Sequence, residues 1–330
     1  MAGPRPSSGV LVVGSANLDI VIPVERLPRP GETVLGDARQ EFWGGKGANQ
    51  AVAAARAARE GERVRLVCLT GDDPGGAAYR KRLAAEGIGR GGLLRAEGPT
   101  GTALIVVDAR GGNQIAVSPG ANALLTPGRL RGRLQLLDFG RAVLAQLEVP
   151  QAIVREAFRR ARRRGAITIL NPAPAPSSPP KELLSLTDVL VPNEREAACL
   201  LGRKSGFRPA ALGSAARKLL LLGPRAVVIT AGERGALFIS GQGEPGEKED
   251  GWARPPAGVR VVDTTGAGDS FCGALALRLA EGAKLADAVR FAVAAASLSV
   301  GKAGAQGGLP RRHGVLRALR RVSLGPIRPG

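Results

Sequence analysis

The chain has 330 residues, room for one large α/β domain or two small ones, and 44% of them are apolar, enough to fill a core. Aromatics make up only 3%, so Ala, Val and Leu must do the filling, and nucleic-acid bases would find few rings to stack on. The formal net charge of +19 comes mostly from arginine spread along the chain; with no zinc-finger or RNA-binding signature beside it, it predicts a solvated basic surface and no nucleic-acid partner.

No run approaches the ~18 apolar residues of a membrane span, and residues 10–13 are too short an apolar run for a signal peptide. A soluble, cytoplasmic protein is expected, with no membrane partner. Cys68, Cys199 and Cys272 are far apart, and the single histidine, His313, lies outside every motif, so zinc ligation is not expected.

In chain order, residues 1–9 read as a disordered tail and 10–13 as a buried strand. Residues 20–24 and 33–42 alternate like strands, with a Pro30-Gly31 turn between them. A helix is predicted over 45–59, a strand over 64–69, a helix over 75–86, and a hairpin over 102–107 and 114–118. Strand–helix units follow: strands at 142–146, 167–170, 189–191 and 226–230, with helices near 151–164, 193–201 and 209–222. Residues 204–209 and 241–258 read as loops, 259–262 as a strand and 270–281 as an alanine-rich helix. A basic helix ends the chain, and 326–330 form a frayed tail. Short apolar strands alternating with helices predict a mostly parallel, doubly covered α/β sheet. The segments near 18–24, 33–43 and 102–118 break the alternation and predict a small antiparallel β lid on a single domain spanning 10–325.

The run Asp263-Thr264-Thr265-Gly266-Ala267-Gly268-Asp269 is the most telling stretch. Small residues before a helix let backbone N–H groups turn inward at its positive end, which makes an anion cradle of Gly266, Ala267 and Gly268. Phosphate loops usually avoid a negative charge there. A site that moves a phosphoryl group onto a hydroxyl needs one, and Asp269 supplies the general base.

Other motifs stand in order along the chain: Gly14-Ser15-Ala16-Asn17-Leu18-Asp19, Gly44-Gly45-Lys46-Gly47-Ala48-Asn49-Gln50, Gln146-Leu147-Glu148, Asn171-Pro172-Ala173-Pro174-Ala175, Pro192-Asn193-Glu194-Arg195-Glu196-Ala197 and Thr230-Ala231-Gly232. Neither a dinucleotide fingerprint nor a Walker loop is among them. Alone, Asn17-Leu18-Asp19 reads equally as a strand-end turn, Asn49 as a helix cap, Glu148 as a surface acid, Asn193 with Glu196 as an N-cap and a charged first turn, and Thr230 to Gly235 as a plain hairpin turn.

Together, from about residue 10 to 310, these motifs resemble the ribokinases of the carbohydrate kinase family. The resemblance implies a ribokinase-like fold, ATP and D-ribose as substrates, Mg²⁺ with the nucleotide, K⁺ as activator, and a homodimer paired through the lids. It implies sugar contacts from Asn17, Asp19, Gly45, Lys46, Asn49, Glu148 and Asp269, and ATP contacts from Asn193, Glu196, Thr230, Ala231, Gly232, Gly235 and Gly268. The monovalent cation falls to Asp263, Thr265, Ser299, Lys302, Gly304 and Gly308, several through carbonyl oxygens. Gly308 departs from the family's common serine, and Val293 stands where a polar or aromatic residue often meets adenine. A kinase of 2-deoxyribose, another small sugar or a nucleoside is the alternative.

Overall fold

The computed structural model describes residues 9–203, 206–241 and 249–327. The strands are β1 (Gly9–Val13), β2 (Asn17–Val24), β3 (Gln40–Gly44), β4 (Arg63–Thr70), β5 (Ile88–Gly89), β6 (Leu93–Arg95), β7 (Gly101–Asp108), β8 (Asn113–Ser118), β9 (Ala142–Ala145), β10 (Ile167–Leu170), β11 (Val189–Leu190), β12 (Ala226–Thr230), β13 (Ala236–Ser240), β14 (Asp250–Arg254) and β15 (Ser323–Gly325); β1 and β9 to β13 are buried apolar runs. The helices between them are α1 (Lys46–Ala57), α2 (Pro74–Ala85), α3 (Gln151–Arg163), α4 (Lys181–Ser185), α5 (Glu194–Leu200), α6 (Leu212–Leu220), α7 (Ala267–Ala280), α8 (Leu285–Ser299) and α9 (Arg312–Leu319).

The large sheet runs β15-β14-β13-β12-β11-β10-β9-β1-β4-β5, with β6 also on β4. It is parallel from β5 to β12 and antiparallel from β12 to β15. Both faces are covered, which the period of two along β1 makes plain. Val10 and Val12 join α1, α7 and α8 in one core, while Leu11 and Val13 join α3 and α6 in the other. This is the mostly parallel, doubly covered α/β sheet expected from the sequence.

Few aromatics means close helices. Where α7 crosses α1, a β-carbon at Gly273 would lie 2.4 Å from the Gln50 carbonyl oxygen and 2.8 Å from Ala53 Cβ. That close approach carries Asn49 and Gln50 to the first turn of α7.

The small sheet has the order β3-β2-β7-β8. Its outer pairings, β2 with β3 and β7 with β8, are antiparallel, and its central pair, β2 with β7, is parallel. β8 is exposed throughout, as an edge strand of a lid would be.

Several boundaries differ from expectation. Of 33–42, only the last residues pair, as β3; before it, Asp37 N–H donates to the Pro23 carbonyl and Gly36 makes one bridge to Val24. Residues 259–262 join no ladder, because Val262 N–H caps the end of α8 by donating to the Val300 carbonyl, 2.8 Å away. The predicted loop 241–258 contains β14, held by its pairing with β13, a strand not expected from the sequence; residues 242–248 lie outside the described residues. α6 is shorter than 209–222 and α7 begins three residues before 270. Of the expected tails, Gly9 opens β1 and Ile327 packs on the α3–α6 core, while 1–8 and 328–330 lie outside the described residues, as do 204–205 of the expected 204–209 loop.

Candidate active site

The first turn of α7 sets the geometry. Gly266 is its N-cap with φ +78°, a left-handed conformation that favours glycine, and a β-carbon there would lie 2.8 Å from the Ala305 carbonyl oxygen. Asp269 follows on the first turn, buried at 7% exposure, at the end of the helix where N–H groups lack partners. Among the described residues, no backbone carbonyl outside α7 takes the N–H of Gly266 or Gly268. The Ala267 N–H differs from expectation: it donates to the Thr264 carbonyl at 3.2 Å, so the turn itself uses it. Gly266, Gly268, Asp269, Lys46, Thr230 and Glu196 meet around a cavity of about 210 Å³.

Two amides grip the Asp269 carboxylate. Asn49 Nδ2 donates to Oδ2 and Gln50 Nε2 to Oδ1, each at 3.0 Å. Behind Asn49, Gln306 Nε2 donates to Asn49 Oδ1 at 3.1 Å and to the Tyr79 hydroxyl at 2.7 Å, and Tyr79 donates to the Gly44 carbonyl at 2.5 Å. The sequence reading gave no role to Gln50, Gln146, Asn171, Tyr79, Asn122 or Gln306. The first three lie inside quoted motifs, which was a usable signal. Tyr79, Asn122 and Gln306 reach the site through long-range contacts that no local pattern announces.

The predicted sugar side forms next to this grip. Glu148 follows β9 and its Oε2 accepts from the Ser15 hydroxyl and, at 2.9 Å, from the Lys46 backbone N–H. Gly45 has φ +86°, and a β-carbon on it would lie 2.7 Å from Asn17 N, so only glycine lets the loop pass this close. Asn17 is pinned by Asn122, whose Nδ2 donates to Asn17 Oδ1 at 2.7 Å and whose Oδ1 accepts from Ala16 N–H at 3.0 Å. The Asp19 carboxylate lies over Gly44. Burial, then the negative charges of Glu148 and Asp269, raise its pKa to about 7, against an opposing pull from Lys46. Burial alone would lower the Lys46 pKa, but Asp269, Glu148 and Glu196 outweigh it and raise the pKa, keeping the ammonium charged. Four acids around one lysine make a pocket rich in hydrogen-bond acceptors, suited to a polyol.

Asn193 and Glu196 form a capping box on α5: Glu196 N–H donates to Asn193 Oδ1 and Asn193 N–H to Glu196 Oε2, both at 2.8 Å. The helix-cap reading of this pair is therefore realised. Both residues also line the 210 Å³ cavity, so capping and facing the site coincide. Burial raises the Glu196 pKa, and the Asn193 N–H and Lys46 oppose it.

Beyond lies a cleft of about 1450 Å³, bordered by Asn193, Thr230, Gly232, Gly235, Gly268 and Val293. Ala231 does not border it: it is buried in the β12–β13 hairpin turn, its N–H on the Gly235 carbonyl at 2.8 Å.

The residues expected at a monovalent cation are brought together. Asp263 accepts from Thr265 N–H and Gly304 N–H, each at 2.8 Å; burial opposes these bonds, yet they hold its pKa below the ordinary value. A β-carbon at Gly308 would lie 2.1 Å from the Ser299 carbonyl oxygen and 3.4 Å from that of Lys302. These two carbonyls converge where a serine side chain would begin, an oxygen-lined turn whose donor type fits K⁺.

Comparison with known proteins shows the family. Residues 7–312 match the pfkB family carbohydrate kinases, and the chain belongs to that family. It is 40% identical over 313 residues to the ribokinase of Bacillus subtilis, covering 94% of this chain and 99% of that protein. It is 38% identical over 313 residues to a bifunctional ribokinase/ribose-5-phosphate isomerase A of Fructilactobacillus sanfranciscensis, where it spans 94% of this chain but only 56% of the relative. Arabidopsis thaliana ribokinase, solved with ribose and ATP, superposes with a TM-score of 0.83 at 34% identity, covering 96% of this chain and 99% of that one. The chain is a carbohydrate kinase of the ribokinase type. No helix among the described residues is long and apolar enough to cross a membrane.

Proposed function

We propose that this protein transfers the γ-phosphoryl group of ATP to the 5-hydroxyl of D-ribose, giving D-ribose 5-phosphate and ADP. The observation that carries the reading is the position of Asp269: buried, held by two amide donors on the first turn of α7, in a cavity it shares with Lys46, Glu196, Gly266 and Gly268. Asp19, Asn17, Glu148 and Asn49 bind the sugar hydroxyls, with Gly45 and Lys46 closing the wall. Asp269 takes the proton of the 5-hydroxyl as that oxygen attacks the γ-phosphorus. Gly266 and Gly268 N–H groups, with the positive end of α7, stabilise the charge on the transferred group.

ATP lies in the 1450 Å³ cleft against Thr230, Gly232, Gly235 and Val293. Mg²⁺, when bound with ATP, neutralises phosphate charge, and Asn193 and Glu196 face its water shell. Asp263 and the carbonyls of Ser299 and Lys302 would hold K⁺ beside the cradle, with Thr265, Gly304 and Gly308 completing the turn. The chain works as one domain in the cytoplasm. Its exposed β8 edge supports pairing of two lids in a homodimer, since an open strand edge favours cover.

A coupled ADP-release assay over D-ribose, 2-deoxyribose, fructose and adenosine tests the substrate. D-Ribose is expected to give the highest kcat/KM; an equal or higher value for another acceptor overturns the assignment.

A further inference from the structure

A general base must be placed to a fraction of an ångström, and a carboxylate on a first helical turn can still rotate about its side-chain bonds. Gln50 removes that freedom from one side. Its Nε2 carries two N–H bonds, and both are in use: one to Asp269 Oδ1 at 3.0 Å, the other to Asn171 Oδ1 at 3.1 Å.

The direction of this amide is forced. Asn171 Nδ2 donates to the Val191 carbonyl at 3.0 Å, and a carbonyl only accepts. Asn171 therefore turns its oxygen to Gln50, which must donate. Gln50 Oε1 then faces Gln146, whose Nε2 donates to it at 2.5 Å. Reversing Gln146 would set oxygen against oxygen, so its own Oε1 stays buried without a hydrogen-bond partner. Burying an unpaired carbonyl is disfavoured. The fold tolerates one at the far end of a chain of amides whose near end is the Asp269 carboxylate.

We propose that Gln50 is a positioning residue of the phosphoryl-transfer site: its amide, fixed in direction by Asn171 and Gln146, holds the Asp269 carboxylate toward the acceptor hydroxyl while Asn49 holds the other oxygen. The proposal rests on Asp269 being the base. In the step it serves, the hydroxyl O–H bond breaks and its proton passes to Asp269. The hydroxyl oxygen bonds to the γ-phosphorus, and the bond to the bridging oxygen breaks with its electrons leaving on ADP. Gln50 neither gains nor loses a proton. Lys46 of α1, Asp19 of β2, Glu196 of α5 and Cys272 of α7 also face Asp269, and all stay unchanged in the Gln50 variants below.

The test uses the full chain with D-ribose and ATP. Gln50→Met keeps the volume and removes the donor; kcat is expected to fall about tenfold, with KM for ribose within about twofold. Gln50→Glu sets a second carboxyl beside Asp269, and the acid limb of the kcat–pH profile is expected to rise by about one unit or more. Wild-type kcat in Gln50→Met, or an unmoved acid limb in Gln50→Glu, overturns the proposal. If Gln50→Glu does not fold, Gln146→Leu replaces it, at a residue that borders neither cavity. A lowered kcat at constant KM then supports positioning, and a wild-type kcat contradicts it. Asp269→Asn, assayed in parallel, separates the premises: its loss of turnover beside a fully active Gln50→Met rejects the positioning role alone, whereas its retention of turnover rejects the base.

Discussion

The acceptor half of the cleft and the nucleotide half are built from different materials. Around Asp269, side chains from α1, α7, the loops after β9 and β10 and the segment between α8 and α9 interlock through Asn49, Gln50, Gln146, Asn171 and Gln306, and the space left is about 210 Å³. The nucleotide half is a wide cleft of about 1450 Å³, bordered largely by glycines, turns and small apolar side chains. The proposed base has to be held at one place, and its surroundings are buried amides bonded to one another, with only Gln146 Oε1 among them left unpaired. A cofactor that enters and leaves each cycle needs room, and backbone groups serve it without fixing side chains. Substitutions in the first half should therefore act on kcat and acceptor binding, and those around the second on nucleotide and cation response.

The largest effect is expected at the base. Asp269→Asn should lower kcat by roughly 10² to 10⁴-fold while ATP still binds, read by steady-state kinetics and nucleotide titration. Equal loss of ATP affinity would dissolve the division between the halves.

Asp19→Asn comes next. Losing a charged acceptor for a hydroxyl costs about 1.5–3 kcal/mol, so KM for ribose should rise roughly ten- to a hundredfold with a smaller change in kcat. The same variant has a pH signature. The folded-state pKa of Asp19 is raised from 3.8 to about 7, so between those values the folded chain holds a proton that the unfolded chain releases. Stability of the ligand-free protein should fall as pH rises through that window, and Asp19→Asn should flatten the slope in denaturant melts at several pH values. Equal slopes in both proteins would contradict the burial of this acid.

Gly308→Ser should do least, and in the other half. Its β-carbon would meet the Ser299 carbonyl at 2.1 Å, so the turn must shift, at about 1–3 kcal/mol of overpacking. A lower melting temperature and a higher K⁺ requirement are expected, with KM for ribose unchanged. A gain in K⁺ activation without loss of stability would show that the turn already has room for serine.

How much of this was legible in the sequence follows the same division. The glycines around Asp269 stand out because small residues before a helix mark an anion cradle, whereas Asn49 and Glu148, which alone read equally as a helix cap and a surface acid, are marked only by the family resemblance. Alternating apolar runs likewise marked β1, β10 and β12. Gln306 and Tyr79 gave no such signal, since Gln306 meets Asn49 across 257 residues of chain and Tyr79 meets the Gly44 carbonyl across 35. The Thr264 partner of the Ala267 N–H, and Ala231 turned inward, depend on turn geometry that residue type does not dictate. The strand at Asp250–Arg254 was hidden because its polar, glycine-containing sequence pairs only once β13 is beside it.

Product analysis tests the central claim most directly. Purified protein, ATP, Mg²⁺ and D-ribose should yield ADP and D-ribose 5-phosphate in equal amounts, with the phosphate placed by phosphorus NMR. Phosphate on another hydroxyl, or ADP formed with only inorganic phosphate, would contradict an Asp269 poised against the 5-hydroxyl.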